Sequence, residues 1–412
     1  MTGLSKDIAP ISAALKKLNV PHMTQFDDAN NLLDGFFKAE KVSKWKYRTQ
    51  KHRINLLRET YHMQKELRER TYTQGKGSEF KLCEQGHLRL VKALNIRDTA
   101  MQHALVNTCL QPALLPHMIH DNGASLKGKG ISFTRRRFEQ HLRWHYRRYG
   151  REGYVLKIDF RKYFDNIDHD VIRRQFGRHV KEPLALWTME RILEANEIDV
   201  SYASDGYQNR PFNSLEHEKV DKTLLTGQKM LKRSMGIGSV VSQIAGIYLP
   251  TRIDTWCKTV RGVHCYDAYM DDRIIIHPDK EFLRQLLGEI KAIAEELGVF
   301  VHEKKTQIIK LSHGFTFLKT KYILTDTGKI IRRIPHDVVV RERRKLKKLA
   351  RFVARGEMSP QAFRLQYLSW RGDKRKYSAY HTLKNMDKLY KELTEQWKKK
   401  SIPSYSKERA IA

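Results

Sequence analysis

Apolar residues in the segment 281–298 (EFLRQLLGEIKAIAEELG) fall at 282, 283, 286, 287, 290, 293, 294 and 297, the spacing of one helical face. Shorter apolar runs have a different rhythm. YVLKIDF, 154–160, predicts a strand, and CYDAYMDDRIIIH, 265–277, predicts a strand, a tight acidic turn and a second strand. Between them, RKYFDNIDHDVIRRQF predicts a turn running into a helix, a polar segment spans 200–228, and SVVSQIAGIYLPTRIDTWC predicts a helix from Ser239. Upstream, the segment 51–70 has helical spacing and predicts an N-terminal helical layer. The turn-rich 73–79 leads into a short hairpin, FKL then HLRLVKAL. RDTAMQHALVNTCLQPALLPHMI, 97–119, predicts a helix broken near Pro112 and Pro116, and 133–150 a basic amphipathic helix. Two or three more strands are expected in 299–333, with helix beyond. Helices alternating with antiparallel strands predict an α+β core, not a doubly wound sheet.

With 412 residues, 40% hydrophobic, the chain can build two or three cooperating subdomains. Its 78 lysines and arginines against 46 acidic residues leave a formal charge of +32, spread along most of the chain, which points to a polyanionic partner. Nucleic acid is the expected one; an anionic membrane surface is the lesser alternative. There is no long apolar run, and Met1 to Ile11 lacks a signal-peptide pattern, so a soluble cytoplasmic protein with no membrane partner is expected. Cys83, Cys109, Cys257 and Cys265 show neither zinc-ligand nor disulfide-framework spacing.

Three carboxylates add chemistry to this picture. Asp159 follows the strand residues Val155, Leu156 and Ile158, while Asp271 and Asp272 occupy the turn before Ile274-Ile275-Ile276. If the two strands are neighbours, Asp159 and Asp271 share two Mg²⁺ ions, with Asp272 assisting and Mn²⁺ as a substitute metal. The competing reading is that two aspartates in a tight turn simply cap a hairpin. Lys76, Arg89, Lys92 and Arg97 are candidates for neutralising an incoming triphosphate. The GKG at 128–130 lacks the full spacing of a phosphate loop.

At these residues the chain resembles the reverse transcriptase family. Tyr269-Met270-Asp271-Asp272 is similar to the family's catalytic turn, and LKIDFRKYFDNIDHD, 156–170, to the motif around its first catalytic aspartate, here Asp159. The resemblance implies a right-hand polymerase fold with fingers, an antiparallel palm sheet and a helical thumb. It makes Phe164 the gate that crowds a ribose 2′-hydroxyl and places Phe160 beside the nucleotide and the metals. IGSVVSQ, 237–243, resembles the motif that lies against template and nucleotide. Most bacterial intron enzymes have Gln-Gly at its start and Ser-Pro at its end. Ile237-Gly238 and Ser242-Gln243 stand there instead, resembling diversity-generating retroelements, whose altered pocket goes with misincorporation opposite template adenine.

Further motifs follow in the family's order. RDTAMQHAL, 97–105, resembles a fingers motif with Thr99 replacing its second basic residue; EKKTQII, 303–309, makes Lys305 the candidate proton donor to pyrophosphate. FTFLKTKY, 315–322, resembles the primer grip, placing Tyr269, Phe317 and Leu318 at the primer or template. YLSWRGDKRKYSAYHTL, 367–383, resembles a thumb segment that includes Trp370. The segment 337–356 carries seven positive residues from Arg341 to Arg351, among them Arg344 and Lys348, suited to duplex phosphates. The expected domains are an N-terminal helical extension (1–70), fingers (71–150), palm with part of the fingers and a polar insertion near 200–228 (151–330), and helical thumb with a basic C-terminal tail (331–412).

The resemblance implies template RNA, a DNA primer or cDNA and deoxynucleotides as partners, with a cognate noncoding or template-repeat RNA and a small basic accessory protein. Two other roles compete with the diversity-generating one. The first is an antiphage defence reverse transcriptase that copies a dedicated noncoding RNA or extends DNA without a template. The second is a catalytically inactive RNA-binding protein.

Overall fold

The computed structural model describes residues 26–84 and 86–401. The first part of the expected N-terminal extension, 1–25, and the end of the basic tail, 402–412, lie outside the described residues. The elements begin with helices α1 (Ala29–Glu40), α2 (Tyr47–Ile54) and α3 (Leu56–Arg68), then the strands β1 (Ser78–Glu84) and β2 (His87–Ala93). Next come α4 (Ile96–Leu105), α5 (Ile131–Tyr149), β3 (Tyr154–Ile158), α6 (His169–His179), α7 (Pro183–Glu194) and α8 (Val240–Tyr248). After β4 (Tyr266–Tyr269), β5 (Asp272–His277) and α9 (Lys280–Glu296), four strands follow: β6 (Gln307–Lys310), β7 (Phe315–Phe317), β8 (Thr320–Leu324) and β9 (Ile330–Arg333). Helices α10 (His336–Ala354), α11 (Pro360–Lys374) and α12 (Tyr380–Ser401) complete the order. No helix among the described residues is long and apolar enough to cross a membrane.

The described residues divide into two compact units, one within 26–119, 161–253 and 293–300, the other within 120–160, 254–292 and 301–401. The second unit is built on a four-stranded antiparallel sheet in the order β6-β3-β5-β4. Val155 pairs with Ile276 and Lys157 with Ile274, while Leu156 pairs with Ile275 and Ile158 with Arg273, so alternate couples face opposite sides. Val155, Ile274 and Ile276 join Phe138 and Leu142 of α5 and Phe315, Phe317 and Tyr322 of β7 and β8 in one core. The β7–β8 hairpin turns through Leu318 and Lys319, with φ of 44° and 60°. Positive φ at both central positions matches the twist a two-residue hairpin needs. Arg135 of α5 donates to the Leu318 carbonyl (2.6 Å) and so braces the unfavoured leucine. A separate helical core forms where α10, α11 and α12 meet around Leu346, Phe363, Tyr367 and Met386, with Trp370 packed against it.

In the first unit, α1 packs against α4 so closely that a Cβ on Gly35 would lie 2.2 Å from the Ala100 carbonyl oxygen. The antiparallel β1–β2 hairpin leads into α4, which Asn95 caps by accepting from the Asp98 amide. The helix expected to break at Pro112 runs through it. A π-turn over Val106–Leu110 precedes a short helix, Gln111–Leu114, near whose start proline loses no required hydrogen bond; a tight turn at Leu115–His117 then ends it. The segment 200–228 carries short helical turns and is held by a small core of Val200, Phe212 and Leu231. The Phe212 amide also donates to Asn166 (2.6 Å). More strands occupy 299–333 than the two or three expected, because short turns at 311–313 and 318–319 fold that stretch back on itself.

Arg273 is wholly buried on the face of β5 opposite the α5 core. Its Nε donates to Asp254 Oδ1 (3.2 Å), which also accepts from the Tyr266 hydroxyl (2.6 Å). Removing one partner of such a pair strands a buried charge, whereas removing both does not. Arg273→Met is therefore expected to lower unfolding stability by about 3–5 kcal/mol, and Asp254→Leu added to it to recover part of that loss. Urea denaturation of the single and double variants measures both effects. No recovery in the double variant would overturn the pair's assigned role.

Candidate active site

The β4–β5 hairpin closes with Tyr269 paired to Asp272, leaving Met270 and Asp271 as a two-residue turn. Met270 has φ of 52°, the sign this turn demands at its first central residue, at a cost of about 1–2 kcal/mol for a side chain other than glycine. Arg273, three residues on, donates from Nη1 to the Met270 carbonyl. The same guanidinium that satisfies Asp254 inside the sheet thereby pins the acidic turn from beneath.

Asp159 lies one residue beyond the couple Ile158–Arg273, so the antiparallel register carries it to the position across from Asp272. Both share a sheet face with Lys157. A second set of contacts holds Asp159 from the loop before β6. Its carbonyl accepts from the His302 amide (2.8 Å), its amide donates to Thr306 Oγ1 (3.4 Å), and Lys305 Nζ stands 3.5 Å from its Oδ1. Lys305 is otherwise open to solvent.

The Asp272 carboxyl is pushed up to about 6, first by burial, then by the negative charge of Asp271, with Asp159 adding to it and Lys157 and Arg273 opposing. Three carboxylates that repel one another at the end of a rigid sheet offer hard oxygen donors of the kind Mg²⁺ takes. Among the described residues no three histidine, cysteine, aspartate or glutamate side chains form a ready metal cage.

Behind the turn, Asp267 of β4 is buried against His141 of α5, Oδ2 to Nδ1 2.8 Å. Burial raises the Asp267 carboxyl, and the His141 contact works against that. Asp121 lies next in line, 3.7 Å from His141 Nε2, and accepts from Arg137 Nε (2.6 Å). Burial alone would raise its carboxyl, but Arg137, His141 and Lys258 hold it down at about 2.

The other sequence candidates sort by burial. The Phe160 ring is buried, 5.5 Å from the Arg273 guanidinium, which leaves its backbone rather than its ring for any contact. Phe317 is fully buried beside Phe138, ring centroids 5.2 Å apart, so its ring fills the core. Tyr269 and Leu318 are partly exposed, and Trp370 is half-buried over Tyr367 (6.3 Å). Arg344 and Lys348 stand exposed on α10.

Within the first unit, the motif at 237–243 is clamped to β2. The Lys92 amide donates to the Ile237 carbonyl (3.0 Å), and Val91 and Ile237 form a parallel bridge. Gly238 has φ of 126°, and a Cβ there would come within 2.9 Å of the Lys92 carbonyl oxygen, so glycine is required on both counts. Gln243 is exposed on α8. Phe164 is held against the same helix, where a Cβ on Gly246 would meet its ring at 2.8 Å. Ile237 also lines a cleft of about 240 Å³ with Lys92, Asp165 and His217. Arg89 is exposed, 3.8 Å from Glu84, whereas Arg97 pairs with Glu66 and lies over the Tyr72 ring at 5.4 Å.

Sequence reasoning missed Arg273, Asp254 and the Thr306 tether. Arg273 left a signal, a charge at the start of an otherwise apolar strand; Asp254 left none, since only the fold brings it there, and Thr306 lies within the 303–309 motif, which was read only for Lys305.

No curated protein sequence matches the chain. A Candida albicans telomerase in complex with a TWJ fragment of telomeric RNA is similar at 14% identity, covering 79% of this chain and 54% of that one, TM-score 0.41. Apo telomerase from Candida tropicalis is similar at 14% identity, covering 63% and 49%, TM-score 0.41. The same enzyme truncated from its C-terminal domain follows at 12%, covering 62% and 55%, TM-score 0.38. The chain thus spans about half the length of these structures. The family described as reverse transcriptase (RNA-dependent DNA polymerase) matches residues 75–322, more than half of the chain. The chain belongs to the reverse transcriptase family.

Proposed function

We propose that the protein is an RNA-directed DNA polymerase that extends a primer 3′-hydroxyl with deoxynucleotides. In this reading the β6-β3-β5-β4 sheet is the palm, the helices from α10 onward the thumb, and the segment around β1, β2 and α4 belongs to the fingers. The observation that carries it is the register that sets Asp159 across from Asp272 and beside the Asp271 turn. Asp159 and Asp271 would hold two Mg²⁺ ions, with Asp272 and the Phe160 backbone assisting. The ions would lower the pKa of the primer hydroxyl and neutralise charge on the transferring phosphoryl group. Lys305, tethered beside Asp159, would protonate the departing pyrophosphate. Tyr269, Leu318, Arg344, Lys348 and Trp370 would hold primer and template, with Phe317 supporting the Leu318 turn from the core. Arg89 would neutralise the triphosphate, and Arg97 would join it by exchanging its Glu66 partner for phosphate.

Within that activity the enzyme is read as the error-prone polymerase of a diversity-generating retroelement, copying a template-repeat RNA with the help of a small basic accessory protein. Ile237 and Gln243 carry this part of the proposal, because they replace the residues usual at the ends of a motif whose backbone is locked to β2.

Primer extension on an RNA template with an annealed DNA primer, Mg²⁺ and all four deoxynucleotides tests the activity. Asp159→Asn and Asp271→Asn are each expected to slow extension by about 10²–10³-fold or more. Absence of extension by the unaltered protein, on this substrate and on one with its native flanking RNA, would sink the proposal.

Phe164→Val is expected to raise incorporation of ribonucleotides relative to deoxynucleotides by roughly 10–100-fold, scored by single-nucleotide insertion. An unchanged ratio would remove Phe164 from the gate role.

Sequenced products should show errors concentrated opposite template adenine, and Ile237→Gln should lower that fraction several-fold. Errors spread evenly over the four template bases would point instead to an antiphage defence enzyme or to another bacterial reverse transcriptase.

A further inference from the structure

The layer formed by α1, α2 and α3 has a satisfied inner side and an unsatisfied outer side. Inward, Phe36, Ala39, Leu56 and Ala100 form a core, and His52 stacks on Phe36 with centroids 5.0 Å apart. Outward, Trp45, Tyr47, Ile54, Leu57 and Tyr61 are between 62% and 84% exposed, far more than single surface apolar residues usually are. Tyr47 and Ile54, seven residues apart, share one face of α2, and Leu57 and Tyr61, four apart, share one face of α3, the two helices meeting at Asn55.

The charge around these residues decides what could cover them. From Lys41 to Tyr61 there are seven lysines and arginines and one acidic residue, Glu59. Arg53 is committed to Glu40 (3.1 Å), but among the described residues Lys41, Lys44, Lys46, Arg48 and Lys51 enter no ion pair, and all five are exposed. Lys46 Nζ sits 5.6 Å from the Trp45 ring centroid. Exposed aromatic rings interleaved with unpaired cations match a single-stranded nucleic acid, whose bases stack on the rings while its phosphates take the positive charge. A duplex would bury its bases from the rings, and an apolar helical partner would leave the cations unmatched.

We infer that the outer face of Lys41–Tyr61 is a second nucleic-acid site, which binds a single-stranded stretch of RNA by stacking on Trp45, Tyr47 and Tyr61. The choice of RNA over DNA rests on the reverse-transcription reading; the surface itself does not.

The test is photocrosslinking of the full chain to a short 5-iodouridine RNA, with saturating unlabelled template–primer hybrid present to occupy the polymerase site, followed by mass spectrometry of the adducts. Crosslinks should map to Trp45, Tyr47 or Tyr61. Their yield should fall about tenfold or more in Trp45→Ala/Tyr47→Ala/Tyr61→Ala and be largely restored by the matching phenylalanine variant, which keeps the rings. Lys44→Gln/Lys46→Gln/Arg48→Gln/Lys51→Gln should weaken binding and flatten its salt dependence. Crosslinks confined to other residues, or an alanine variant that crosslinks as well as the unaltered chain, would overturn the site. Equal or stronger crosslinking of a DNA of the same sequence would overturn the assignment to RNA. Binding to anionic phospholipid vesicles with no RNA crosslink would make the face a membrane surface and also overturn it. Asp271→Asn should lose extension yet keep the crosslinks, so failure of the polymerase reading and failure of this site give different results.

Discussion

The buried guanidinium of Arg273 is the constraint on which the candidate site depends. It sits inside a sheet with no exposure, satisfies Asp254 on one side and the Met270 carbonyl on the other, and lies over the Phe160 ring. A charge so placed cannot relax into water, and each of its partners is held in turn. The acidic turn, which carries a residue in an unfavoured backbone conformation, is thereby fixed relative to the strand that ends in Asp159.

Fixing carboxylates near one another has an electrostatic cost. The raised Asp272 carboxyl records it, since burial and its two acidic neighbours all oppose its ionisation. The bond from the His302 amide and the one the Asp159 amide donates to the Thr306 hydroxyl hold the Asp159 backbone in place against that repulsion, and Lys305 offsets part of it at the solvent edge. On the proposed reading, a cation bound among these carboxylates would relieve that repulsion.

In the first unit the same rigidity is achieved by close backbone approach rather than by charge. Gly238 lets the 237–243 motif lie against Lys92, and Gly246 lets Phe164 lie against α8. The main chain at Ile237 is thereby held to β2 whatever its side chain.

Much of this was legible in the chain itself. Short apolar runs at 155–158 and 274–276 and the helical stripe of 282–297 identified the elements, because run length and side-chain spacing separate a buried strand from an amphipathic helix. The carboxylates stood out because acidic residues at the ends of apolar strands need a reason. Helix α7 was overlooked although Pro183 at its first turn was a readable start signal, and Pro112 was misread because a π-turn absorbs what a regular helix could not. What the sequence by itself determined was the kind of elements and the chemistry of the charged positions, since these depend on neighbours within a few residues. Tertiary structure alone decided that Asp159 faces Asp272, that Arg273 finds Asp254, that Phe317 serves the core, and that no described residue covers Tyr47 of α2 or Tyr61 of α3. Each of these depends on strand register or on packing between residues far apart in the chain, which no local pattern encodes.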